Sequence, residues 1–172
     1  MRRKATLFRK VMKRILYLHG LESAQGGKKV DFLANRGYVY APEMDYTRKD
    51  LFPFLMKVVD EFQPDIIIGS SMGGYVAYVL GGLFKIPLLV FNPALHSRKF
   101  DPIIPEFVKK HYPTKMTVVV GEEDSIINAN TTLTYLQDHM MGNVEEVKIN
   151  RVKDMGHRTT LSVFSDMYNK TI

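Results

Sequence analysis

The sequence predicts an α/β chain, a compact open sheet of about six mostly parallel strands with helices on both faces. Three observations carry that reading. Short β-branched runs begin at Ile15 (ILYL), Tyr38 (YVYA), Asp65 (DIIIG), Pro87 (PLLVF), Met116 (MTVVVG) and Val144 (VEEVKI). Most are continuously apolar rather than alternating, as strands buried on both faces are. Helical patterns lie between them, and strand–helix alternation at these spacings builds βαβ units and a parallel sheet.

Each element has a local reason. The first run, Ile15 to Leu18, passes into His19-Gly20-Leu21-Glu22-Ser23, and the helical pattern Lys28 to Asn35 stops before Gly37. After the second run, Lys49 to Phe62 is amphipathic, with Pro53 tolerable only in a first turn. The third run ends in Gly69-Ser70-Ser71-Met72-Gly73, and Gly74 to Phe84 is small and apolar. The fourth is followed by Asn92 to Lys115, broken by Pro93, Pro102, Pro105 and Pro113, with room for a short helix over Glu106 to His111. The fifth ends in Gly121-Glu122-Glu123-Asp124-Ser125, ahead of a helix over Thr131 to His139. The sixth leads to Asp154-Met155-Gly156-His157 and a last helix over Thr160 to Tyr168.

Composition bounds the rest. The 172 residues, 45% apolar and 24% charged, suit one domain with a sizeable core. The net charge of +6 is local rather than spread. Residues 1–14 hold Arg2, Arg3, Lys4, Arg9, Lys10, Lys13 and Arg14 and no acid, leaving 17 Lys+Arg against 18 Asp+Glu in the remainder. This reads as a basic extension before a single domain over 15–172, with Met12 a natural start, rather than as a nucleic-acid surface. The absence of cysteine excludes disulfides, iron–sulfur clusters and thiol catalysis, and fits a reducing, cytoplasmic setting. No apolar run approaches the ~20 residues of a membrane span, and no histidine cluster has metal-ligand spacing.

In a parallel sheet ligands sit beyond the carboxyl ends of the strands, and three of those ends carry chemistry. Gly69-Ser70-Ser71-Met72-Gly73 reads Gly-x-Ser-x-Gly between a strand and a helix. A central serine there projects from a strained turn, and the flanking glycines let strand and helix pass closely. Ser70 is the competing hydroxyl but lacks the symmetric glycines. A serine needs a base, and the base an orienting acid. His157 follows the sixth strand and Asp124 the fifth, in the order Ser, Asp, His; Glu122 and Glu123 are the alternative acids. A tetrahedral oxyanion needs backbone donors. Met72, after the serine, and Leu21, after the first strand, are the nominated amides, with His19 as a buttress of that loop.

These segments carry a resemblance. From Ile15 onward the chain resembles the α/β-hydrolase superfamily. Ile15 to Ser23, Gly69 to Tyr75 and Met155-Gly156-His157 look like the small YqiA-like esterase group. The resemblance implies a serine esterase with Ser71 as nucleophile, Asp124 as acid and His157 as base, on a sheet lacking the first two strands of a full-size hydrolase. With only Asn92 to Lys115 in the place of a cap, it implies a minimal lid or none. The family's substrate does not carry over, since variable loops wall the pocket; the thin lid suggests an open site for a small ester or thioester with a short or medium acyl group, turned over without a cofactor. Met44, Tyr46, Leu95, Phe100 and Ile126, with Leu21, Ile103 and Ile104, are candidates for an apolar acyl pocket. Arg98, Lys99 and Arg158 could meet an anionic leaving group. The alternatives are a thioesterase with the same triad and a non-catalytic ligand-binding protein on this fold.

Overall fold

The computed structural model describes residues 12–21, 23–109, 111–140 and 143–172. The first eleven residues of the basic extension lie outside the described residues. Six strands form one sheet: β1 (Lys13–Leu18), β2 (Gly37–Tyr40), β3 (Ile66–Ser70), β4 (Leu88–Phe91), β5 (Lys115–Gly121) and β6 (Glu146–Val152). The described helices are α1 (Lys28–Ala34), α2 (Leu51–Phe62), α3 (Met72–Phe84), α4 (Ala129–Met140) and α5 (Leu161–Thr171). All five strand pairings are parallel, in the order β2-β1-β3-β4-β5-β6. None of the described helices is long and apolar enough to cross a membrane.

The strand order explains where a site can form. The chain moves outward from β1 to β2, then returns to place β3 on the other side of β1. The connections leaving β1 and β3 therefore diverge, and a crevice opens between their carboxyl ends. The loop after β1 and the turn after β3 face each other across it.

Two apolar layers clamp the sheet. Leu16, Leu18, Ile67, Val90, Val118 and Val120 point to one face, against Phe52, Leu55 and Val59 of α2, Val76 and Leu80 of α3, and Leu136 of α4. Ile15, Tyr17, Ile68, Leu89, Phe91 and Val119 point to the other, against Leu33 of α1 and Phe164 and Tyr168 of α5. This alternation within continuously apolar runs is the period-2 strand geometry with both faces covered. Along α2, Leu51, Phe52, Leu55, Val58 and Val59 make one buried stripe at helical spacing. Pro53 sits at its third residue, where no intrahelical acceptor exists for an N–H.

Several boundaries differ from the sequence expectation. β1 takes up Lys13 and Arg14, which pair with Gly37 and Tyr38. α3 starts at Met72 rather than Gly74, directly out of the turn at Ser71. The helix expected over Glu106 to His111 is a single 3-10 turn, Glu106–Val108, preceded by Pro105. The rest of Asn92 to Lys115 carries no helix among its described residues.

Candidate active site

Ser71 is set by a strained turn. Its backbone lies at φ 52°, ψ −118°, a region costing a non-glycine residue roughly 1–3 kcal/mol. Neighbours on three sides hold it there. Its N–H donates to the Phe91 carbonyl at 2.9 Å, and its own carbonyl accepts from the N–H groups of Ala94 at 3.0 Å and Tyr75 at 3.2 Å. Glycines make the turn passable. A Cβ at Gly69 would overlap the Gly73 carbonyl, and one at Gly73 would overlap the Leu18 carbonyl.

The structure brings Ser71, His157 and Asp124 into one hydrogen-bonded line. His157 Nε2 is 3.0 Å from Ser71 Oγ, and His157 Nδ1 is 2.8 Å from Asp124 Oδ2. An ionised carboxylate can only accept, so Nδ1 carries the imidazole proton and Nε2 is left to accept from the serine hydroxyl. Asp124 is buried, and its second oxygen, Oδ1, accepts from the N–H groups of Ile126 and Ile127, both at 2.8 Å. Three donors thus compensate its desolvation. The neighbouring carboxylates do other work: Glu122 pairs with Arg151 Nε at 3.0 Å, and Glu123 is exposed. Asp154 is an exposed turn residue at φ 55°.

The amides of Leu21 and Met72 flank Ser71 in the same cleft, and neither donates to a partner among the described residues. The Leu21 loop is braced from beneath. His19 is buried, with its Nδ1 donating to the Gly20 carbonyl at 2.8 Å and its Nε2 accepting from the Met44 N–H at 3.2 Å. The Tyr46 hydroxyl donates to the His19 carbonyl.

The cleft has a volume of about 530 Å³. Leu21, Ser71, Met72, Ile126 and His157 line it, as do Lys29, Arg98, Lys99 and Arg158. Among the apolar candidates, Leu21 and Ile126 lie in the lining. Met44, Tyr46 and Leu95 are buried in the core, and Met44 and Tyr46 also hold the His19 loop. Phe100 and Ile103 are surface residues outside the lining, and Ile104 packs on the core. His111 and His139 are exposed, while His96 is half-buried, with its Nδ1 3.3 Å from the Thr132 hydroxyl.

One site residue is absent from the sequence reading. Asn92, directly after β4, is 1% exposed and sits at φ 42°. Its Nδ2 donates to the carbonyls of Gly156 and His157, both at 3.0 Å, and its Oδ1 accepts from the Gly121 N–H at 2.8 Å. Its own N–H donates to the Val119 carbonyl at 2.8 Å. One amide thereby ties together the ends of β4 and β5 and the backbone of His157. A polar residue closing a wholly apolar strand, in a position asparagine tolerates at positive φ, is the signal that could have found it.

Comparison with known proteins bears on the fold and the family. A monoacylglycerol lipase from Paleococcus ferrophilus superposes with a TM-score of 0.69 at 14% identity, over 93% of both chains. An alpha-beta serine hydrolase homologue from Coxiella burnetii gives 0.67 at 13% identity, over 95% of this chain and 88% of the other. A serine hydrolase without lid from Xanthomonas campestris gives 0.63 at 14%, over 94% and 83%. The fold is that of the α/β hydrolases, in its compact form. The sequence profile of an uncharacterised protein family, UPF0227, matches residues 14–112, which hold the first four strands and the Ser71 turn. The chain belongs to that family, UPF0227, and has the α/β-hydrolase fold.

Proposed function

We propose that this chain is a serine hydrolase of small carboxylic esters, working by two-step acyl transfer. The observation that carries the proposal is the line from Asp124 through His157 to Ser71, 2.8 and 3.0 Å long and opening on a cleft. Such a line has a chemical use. As Ser71 Oγ bonds to the ester carbonyl carbon, His157 Nε2 takes its proton, and Asp124 stabilises the imidazolium. The carbonyl oxygen becomes an oxyanion, which the Leu21 and Met72 amides receive; each such donor is worth roughly 3 kcal/mol. Collapse breaks the carbon–oxygen bond of the leaving group, which departs with the proton from His157. Water, deprotonated by His157, then attacks the acyl-serine; the acid leaves, and Ser71 regains its proton.

The same groups act on a thioester, with a thiol leaving in place of the alcohol. The cleft, with no helix longer than one turn in the described residues between β4 and β5, favours short or medium acyl groups. The test is a chain-length series of aryl esters and thioesters, followed for a burst of leaving group and for mass on the protein. A burst with an acyl adduct on Ser71 is expected. Turnover without any acyl-enzyme would overturn the two-step cycle, and a rate maximum at long-chain lipids would overturn the assignment of chain length.

A further inference from the structure

The cleft carries more positive charge than acyl transfer requires. Three of its lining cations, Lys29, Lys99 and Arg158, have no ion-pair partner among the described residues. Arg98 differs: it is tied to Asp101 at 2.9 Å and donates to the carbonyls of Ala94 and Leu95. Lys29 stands apart from the surface lysines, being half-buried, with its Nζ 5.6 Å from the centre of the Phe164 ring. Burial holds its ammonium below the usual lysine value. A buried cation normally finds an acceptor, because desolvation otherwise works against it.

A second observation lies beside it. Arg158 lines the same cleft and is exposed, without an ion-pair partner among the described residues. It follows His157 directly, and Phe164, under Lys29, is on the first turn of α5 just beyond it. Lys29 and Arg158 thus line the cleft that also holds His157.

We infer that Lys29 and Arg158 form a subsite for an oxyanion, carboxylate or phosphate, carried on the leaving group of the substrate. The ammonium and guanidinium supply charge-assisted hydrogen bonds. The substrate class is then an ester or thioester with an apolar acyl part, next to Met72 and Ile126, and an acidic alcohol or thiol part. This inference rests on the proposed hydrolase reading for its catalytic consequence, though not for binding.

The experiment therefore has two arms. In the first, kcat/KM is compared for the butyrate esters of 3-hydroxybenzoate, of 3-hydroxyphenyl phosphate and of neutral 3-hydroxybenzamide, with wild type, Lys29→Met and Lys29→Arg. Wild type should favour at least one anionic ester by about tenfold, the value of one charge-assisted hydrogen bond. Lys29→Met should bring the ratio near one, and Lys29→Arg should retain it; the ester with the larger ratio identifies carboxylate or phosphate. In the second arm, 3-hydroxybenzoate, 3-hydroxyphenyl phosphate and 3-hydroxybenzamide are titrated calorimetrically into wild type and Lys29→Met. An anion binding wild type about tenfold more tightly than the amide, with the difference lost in Lys29→Met, supports the subsite even if no ester turns over. Equal rates and equal binding for anionic and neutral compounds, or a preference unchanged in Lys29→Met, would overturn it.

Discussion

The two ends of the parallel sheet treat charge in opposite ways. At the amino ends of the strands a depression of about 280 Å³ is lined by Lys13, Asp65, Lys115, Glu146 and Lys148. There the charges are answered, Lys13 excepted. Glu146 lies 2.9 Å from Lys148 and 3.5 Å from Lys115, and Asp65 accepts from the backbone N–H of Arg14 at 2.7 Å. At the carboxyl ends, polar groups are left open. The Leu21 and Met72 amides and the cations Lys29, Lys99 and Arg158 lack partners among the described residues. The Asp124–His157–Ser71 line, Asn92 and Arg98 are matched there. A fold that satisfies its polar groups at one end and withholds satisfaction at the other marks the second as the end that meets ligand.

Removing groups at the two ends should therefore have unequal consequences, and the largest is at the line itself. Ser71→Ala and His157→Ala should each lower kcat by about 10⁴-fold or more, with the denaturation midpoint little changed because both residues are only half-buried. A midpoint collapse in both variants would make the line a structural device instead.

Asn92 is the next strongest test, since it belongs to the site by position and to the core by burial. Asn92→Ala leaves the Gly121 N–H and two carbonyls without their partner, costing about 3 kcal/mol in urea unfolding. It should also lower kcat far more than it raises KM, because the His157 backbone loses its anchor. Asn92→Asp should be worse than Asn92→Ala, as a carboxylate would face the carbonyls of Gly156 and His157. An Asn92→Ala protein with unchanged kcat would show that the His157 loop is positioned without it.

Tyr46→Phe sharpens the comparison at the oxyanion loop. It removes the donor to the His19 carbonyl and should cost about 1 kcal/mol of stability, with a several-fold loss of kcat. Loss of stability alone would make Tyr46 purely a core residue.

The smallest effect is expected at the amino-terminal end. Lys148, and then Lys115, hold the Glu146 carboxyl below its ordinary value of 4.5. A carboxyl whose folded pKa lies below its unfolded one contributes stability above the unfolded value, and loses it as pH falls through the folded value. Glu146→Gln should therefore flatten a slight acid limb of the stability curve below pH 4.5 and leave ester hydrolysis at neutral pH unchanged. A changed kcat would mean that the two ends are coupled.

The sheet was legible in the sequence because strands buried on both faces are written as unbroken apolar runs, and helices between them as stripes. The turn at Ser71 was legible because close passage of strand and helix admits only glycine at positions 69 and 73. The acyl-pocket residues were not. Met44, Tyr46 and Leu95 have the same composition whether they face a ligand or seal the core, and only the three-dimensional path of their loops decides. The short helix over Glu106 to His111 failed because Pro105 starts a turn that propensity alone cannot extend. Asn92 escaped notice because asparagine after a strand reads as a turn residue, and its three side-chain bonds reach segments 29 to 65 residues away.

The account stands most directly on whether Ser71 is an activated nucleophile. The decisive measurement is reaction of the folded protein with a fluorophosphonate probe, with the modified peptide located by mass spectrometry. The account predicts one adduct on Ser71, absent in Ser71→Ala and slowed in His157→Ala. A folded wild-type protein that takes no label, or takes it at the same rate without His157, would contradict it.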